Sequence, residues 1–149
     1  MASTPAKGLI KVCLDSSVLI AGAISPHGSA RDLLDAGLDD RASLYLSTLV
    51  LQETERNLAR KAPAALPMFR LFIDALRPQL VDPSTEQVLE AARVVEPKDA
   101  PIVAAALAAH ADVLATYDRK HLSAQANAIH QHFHLVAAPA EEILLILDT

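Results

Sequence analysis

Tryptophan is absent, and aromatic residues make up only 3% of this 149-residue sequence. There is a single cysteine, Cys13, which excludes an internal disulfide; set in an apolar run, its thiol reads as an ordinary buried side chain with no chemistry of its own. Long hydrophobic runs are lacking as well. The longest uninterrupted apolar stretch, residues 101–109, falls far short of the ~20 residues that a membrane-spanning helix needs. The first residues do not have the charged-then-apolar layout of a signal peptide, so a cytoplasmic location without membrane contact is expected. Nor is there an excess of positive charge: thirteen basic residues against eighteen acidic ones leave a net charge of -5. That excludes the broad basic footprint of a protein that grips nucleic acid non-specifically, so any such contact must be local or helped by cations. What the sequence does have is 52% hydrophobic residues, 21% charged residues and a mean hydropathy of +0.26, which excludes a disordered chain. The length suits one domain that can bury a core without staples, expected over residues 9–149 after a flexible leader at 1–8.

Along the chain, short apolar runs alternate with segments of helical spacing. Residues 9–14 read as a buried strand ending at Asp15, and helices are expected over 16–24 and, after the Ser25-Pro26-His27-Gly28 break, 30–38. A strand at 43–46 is followed by a helix to about Lys61, capped by Ser47 or Thr48 and carrying Glu53, with Arg60 and Lys61 in its last turn. Further helices are expected over 64–76, from Ser84 or Thr85 to about Val95, and over 100–109. Asp99 reads as the cap of the last of these, with Pro101 in its first turn. Leu80 and Val81, residues 113–116 and residues 134–136 read as strands, and a final helix starts after Pro139. Such alternation is the pattern of a parallel sheet covered on both faces, because a parallel crossover needs a dozen or more residues. The expected fold is a three-layer α/β/α sandwich with a central, mainly parallel sheet. Alanine, at 28 residues, suits helices that pack closely on a sheet.

The acids carry the chemical signal. Asp15 and Asp118 each follow a short apolar strand expected to be central, at the sheet edge where open α/β folds bind ligands. Asp99, at a helix start, and Glu53, within a helix, can reach the same edge. Like charges ~4 Å apart repel by about 4 kcal/mol at an effective dielectric near 20, so a cluster of four carboxylates must take up protons or hold a cation. Hard oxygen donors without cysteine or paired histidine favour Mg²⁺ or Mn²⁺, and an ion held so can polarise a phosphodiester and activate a water for its hydrolysis. Singly, each acid also has a plain structural reading: Asp99 as a helix cap, Asp15 and Asp118 as turn residues, Glu53 as a solvated partner of Arg56.

The neighbouring residues add to this. Val12-Cys13-Leu14-Asp15-Ser16-Ser17-Val18-Leu19-Ile20 resembles the opening motif of the PIN-domain family, and Ser47-Thr48-Leu49-Val50-Leu51-Gln52-Glu53 resembles its second. Lys98-Asp99-Ala100-Pro101-Ile102 is similar to the third motif, and Leu114-Ala115-Thr116-Tyr117-Asp118 with His121-Leu122 to the fourth, so the likeness runs over about residues 9–145. It implies a Rossmann-like sandwich and a Mg²⁺- or Mn²⁺-dependent ribonuclease, toxin-like (VapC-type), from a bacterial type II toxin–antitoxin pair. By the same likeness Asp15, Glu53, Asp99 and Asp118 are the metal-site acids, and Thr116 is a helper that hydrogen-bonds an acid or a metal-bound water. Two positions depart from the pattern: Ser17 and Tyr117 stand where asparagine is frequent in the family, which bears on substrate choice and rate.

Ser17, Arg56, Arg60, Arg119 and Lys120 are the candidates for contact with RNA, against a plain reading as solvated or positioning side chains. His130, His132 and His134 alternate, and on a strand would share a face that could hold Zn²⁺ or, more ordinarily, form a polar edge. The segment with Phe69 and Phe72 and the run from Ile143 to Leu147 read mainly as core, with a homodimer contact or an antitoxin groove as the other use. Two competing functions share the fold: a catalytically weak RNA-binding or regulatory module, and an aspartate-nucleophile phosphohydrolase. The second is disfavoured because Asp15-Ser16-Ser17 lacks a second aspartate two residues on.

Overall fold

A computed structural model of the chain describes residues 8–148, so the leader expected at 1–8 lies almost wholly outside the described residues. Five strands, β1 (Lys11–Leu14), β2 (Ser43–Leu46), β3 (Gln79–Leu80), β4 (Val113–Ala115) and β5 (Val136–Ala138), form one sheet in the order β3-β2-β1-β4-β5. Every neighbouring pair is parallel, with Cys13 beside Tyr45 on one side and Leu114 on the other. Among the described residues eight α-helices flank it: α1 (Ser16–Ile24), α2 (Ser29–Leu38), α3 (Thr48–Lys61), α4 (Leu66–Leu76), α5 (Thr85–Ala91), α6 (Ala100–Ala108), α7 (Ala126–Phe133) and α8 (Ala140–Leu147). The expected three-layer α/β/α sandwich is what the chain forms.

The layers follow from the period of two along each strand. Val12, Leu14, Val113 and Ala115 point to one face, where they pack with residues of α1 to α4 and α8 such as Leu19, Leu33, Val50, Phe69 and Ile143. Cys13 and Leu114 point to the other, against α5, α6 and α7 through Ala91, Ala104 and Ile129. The alanines are used here: Ala100, Ala104, Ala105 and Ala106 of α6 are all buried, and their small side chains let the helix lie close over the sheet.

Strand order reverses between β1 and β4, because the chain moves outward through β2 and β3 and then returns to pair β4 with the free side of β1. That reversal opens a crevice at the carboxyl ends of these two strands. The helix start that bears on it is well anchored: Ser47 caps α3 by accepting from Val50 N at 3.1 Å, and the Asp82 carboxylate accepts from both Thr48 N and Thr48 Oγ1 at 2.8 Å. Glu53 is thereby held in the second turn of α3.

Three local expectations are corrected. The strand expected at 134–136 begins two residues later, as β5 at Val136, and residues 126–133 are helix α7. Ile129, fully buried, and Phe133, packed on the same core, lie four apart, and this helical pair outweighs the alternation of the histidines. His130 and His134 therefore lie a turn apart with their rings edge to face, 6.4 Å between centroids, and His132 points to the opposite side of the helix rather than to a shared face. Helix α5 ends at Ala91 rather than Val95, because the next amides tighten to three-residue turns, Arg93 N to Glu90 O and Val94 N to Ala91 O. The segment expected as a helix from residue 64 opens with a 3-10 turn, Pro63–Ala65, before α4.

Candidate active site

Asp15 directly follows β1, and its N–H continues the ladder to Ala115 O at 3.0 Å. Its side chain caps α1: Oδ1 accepts from Ser16 N at 2.8 Å. Oδ2 accepts two hydroxyl hydrogen bonds, from Ser17 Oγ at 2.9 Å and from Thr116 Oγ1 at 2.8 Å. Each hydroxyl is itself aligned by a backbone amide of the loop after β4: Tyr117 N donates to Ser17 Oγ at 2.9 Å, and Asp118 N donates to Thr116 Oγ1 at 3.0 Å. Thr116, 0% exposed, thus links the acids at the ends of two strands. Asp118 is braced on its other side, where Oδ1 accepts from His121 N at 3.1 Å.

Asp99 holds the cap position of α6 that the sequence suggests, but its side chain makes no cap bond. Its backbone is helical (φ -94°, ψ -12°) rather than extended, and the first-turn residue Pro101 has no N–H to offer. Asp99 is 7% exposed, and its carboxylate instead accepts from Gln125 Nε2 at 3.0 Å.

All four acids line one cleft of about 440 Å³, which Ser17, Tyr117 and Lys98 also border. No three of them bring carboxylate oxygens within 4.8 Å of one another; among the described residues, the group that does so is Glu96, Asp99 and His121. There Lys98 already supplies positive charge, with Nζ 2.7 Å from His121 Nε2 and 3.8 Å from the Glu96 carboxylate. Lys98 is the cleft cation that sequence reasoning passed over, although it stands beside Asp99. Arg56 and Arg60 are exposed and do not line the cleft, nor do Arg119 and Lys120; Arg119 borders a neighbouring hollow with Thr116 and Ser123. Ser17 lies in the cleft, with its hydroxyl engaged by Asp15 and Tyr117 N.

Two groups near the site are held in their neutral forms. Burial, reinforced by the charge of Asp15, pushes the Cys13 thiol up to about 12, which fits an inert core residue. Burial and then the Glu141 carboxylate raise the Tyr117 phenol above its ordinary value, so it meets the cleft as a neutral hydrogen-bonding group.

A model of the PIN domain matches residues 11–120. The chain belongs to the PIN-domain family. Among solved structures, the crystal structure of PAE2754 from Pyrobaculum aerophilum is similar to this PIN domain in fold, with a TM-score of 0.66 and 22% identity over 98% of this chain and 99% of that one. No curated protein matches it. A PIN domain points to a nuclease, and the cleft of this one is lined by four carboxylates together with Ser16, Ser17 and Ser47 and by no cysteine, hard oxygen donors that suit a divalent cation. Asp15, Glu53, Asp99 and Asp118 share the cleft where such an ion would sit, and the Ser17 and Thr116 hydroxyls hold the first of them by hydrogen bonds.

Thr116→Val tests the link between the strand ends. It keeps the shape of the side chain but removes the donor to Asp15 and the acceptor of Asp118 N. Losing an outer partner of a ligand costs about 10- to 100-fold in metal affinity, and an unpaired amide about 1–3 kcal/mol of stability. Mn²⁺ titration together with urea unfolding should register both losses; a variant that binds and unfolds like wild type removes Thr116 from the site.

Proposed function

We propose that this PIN domain is a Mg²⁺- or Mn²⁺-dependent ribonuclease that hydrolyses RNA phosphodiester bonds. The observation that carries the reading is the convergence of Asp15, Glu53, Asp99 and Asp118 on one cleft at the strand-order reversal, with Asp15 and Asp118 tied through Thr116. A bound divalent ion supplies Lewis acidity toward the phosphodiester and a water of lowered pKa. The chain's own residues do the rest. Asp15, Asp99 and Asp118 are the principal ligands, Glu53 binds directly or through water, and the Ser17 and Thr116 hydroxyls keep Asp15 oriented. Lys98 stands at the cleft to meet a phosphate, and Arg56, Arg60, Arg119 and Lys120 are exposed cations that can steer RNA from further out. With a net charge of -5, such contact is local and weakens with salt.

The same reading makes the chain a toxin of a bacterial type II toxin–antitoxin pair that acts in the cytoplasm and is bound by an antitoxin protein, with a homodimer as the second assembly. No helix among the described residues is long and apolar enough to cross a membrane, which is consistent with that setting. Apolar side chains exposed on α4, Met68 and Leu71, and on α8, Leu145, are available for such partners.

Cleavage of single-stranded RNA by purified protein, with Mn²⁺ and with excess chelator, tests the activity. Cleavage is expected only with the ion, declining as salt rises. Undiminished cleavage in chelator, or saturable RNA and Mn²⁺ binding without turnover, overturns the ribonuclease reading, the latter in favour of a binding module.

A further inference from the structure

Asp99 takes its one side-chain hydrogen bond from outside the four motifs. Gln125 closes the 3-10 turn Ser123–Gln125 just before α7, past the residues 11–120 that match the family model. It occupies the cap position of α7 but makes no cap bond, because its side chain turns back toward the cleft. Nε2 donates to Asp99 Oδ2 at 3.0 Å and to His121 O at 2.9 Å, while Oε1 accepts from Glu96 N at 2.8 Å. The two backbone partners dictate which way the amide faces. An N–H can only donate, so Glu96 takes the oxygen; a carbonyl can only accept, so His121 takes the NH₂. The second hydrogen of that NH₂ then meets Asp99, and the donor capacity of Gln125 is fully used.

Its partners lie on both sides of the site. Glu96 and Asp99 belong to the turn that leads into α6, and His121 belongs to the turn whose N–H holds Asp118 Oδ1. We infer that Gln125 is a positioning residue of the metal centre: it holds one oxygen of Asp99 from the protein side, leaves the rest of the carboxylate to the cleft, and locks the Asp99 and Asp118 turns at one spacing. The inference rests on the metal-dependent reading above. It assigns to Gln125 the role toward Asp99 that Thr116 has toward Asp15.

The test is Mn²⁺ affinity, measured by paramagnetic resonance on wild type, Gln125→Met, Asp99→Asn and the double variant. Met keeps the length of the side chain without its hydrogen bonds. Gln125→Met is expected to bind Mn²⁺ about 10- to 100-fold more weakly than wild type, with its circular dichroism unchanged. Because Gln125 acts through Asp99, the double variant should bind no more weakly than Asp99→Asn alone. A Gln125→Met protein that melts lower but binds Mn²⁺ like wild type overturns the inference and leaves the ribonuclease reading standing, as do losses that add fully in the double variant. Wild type that binds no Mn²⁺ overturns both. If Gln125→Met fails to fold, Gln125→Asn decides: its amide is one methylene too short to span the three partners, so wild-type affinity in that variant likewise defeats the inference.

Discussion

Asp15→Asn is expected to reduce RNA cleavage by more than about 100-fold, because losing an outer partner of a metal ligand already costs about 10- to 100-fold and this change removes a ligand together with its charge. The substitution is isosteric, yet the hydrogen-bond direction at this site makes it a severe one. Donation runs one way, from Tyr117 N and Asp118 N to the Ser17 and Thr116 hydroxyls, and from those to Asp15 Oδ2; Ser16 N donates to Oδ1. Every partner of the carboxylate is thus a donor. An asparagine must turn its NH₂ toward either Ser16 N or the two hydroxyls, so it loses acceptor capacity as well as charge. Single-turnover cleavage at saturating Mn²⁺, with circular dichroism to verify the fold, measures the effect. Wild-type cleavage by the variant would remove Asp15 from the metal site and with it the proposed use of the cleft.

Leu14→Ala is expected to cost about 2–5 kcal/mol, the range for leucine truncated in a well-packed core. Leu14 is fully buried at the last position of β1, paired in register with Ala115 and packed in the larger of the two core clusters. A domain of this size is stable by only about 5–15 kcal/mol, so the loss is a large part of the total. At about 2–4 °C per kcal/mol the melting temperature should fall by roughly 4–20 °C. The cavity lies directly beneath Asp15, but the hydrogen bonds that orient Asp15 come from Ser16, Ser17 and Thr116, so cleavage well below the new melting temperature should persist. A melting temperature within about 2 °C of wild type would mean that the two faces of β1 do not divide the core as described.

Much of this architecture was legible before any coordinates, for reasons that are local. Helix α1, strand β2 and the cap of α3 at Ser47 fall where apolar period and capping chemistry place them, and the alternation of strands with long crossovers leaves a parallel sandwich as the natural solution. Asp15 and Asp118 could be assigned to a ligand-binding edge because a residue after a short parallel strand has few other places to be. Helix α7 was not legible, because His130, His132 and His134 imitate a strand's period and only the packing of Ile129 and Phe133 decides against it. The role of Asp99 was hidden by a plausible local alternative: a side-chain cap needs extended backbone, which Asp99 lacks, and its carboxylate is taken instead by Gln125. Lys98 and Gln125 belong to the site through contacts 23 and 26 residues away in the chain, at distances that no spacing rule reaches. Sequence by itself determined which residue types were present and which elements they could form, since propensity, period and capping act within a few residues. Only the tertiary structure decided which side chains face one another across the strand-order reversal, because hydrogen-bond direction and the choice among polar partners depend on segments that the chain brings together only by folding.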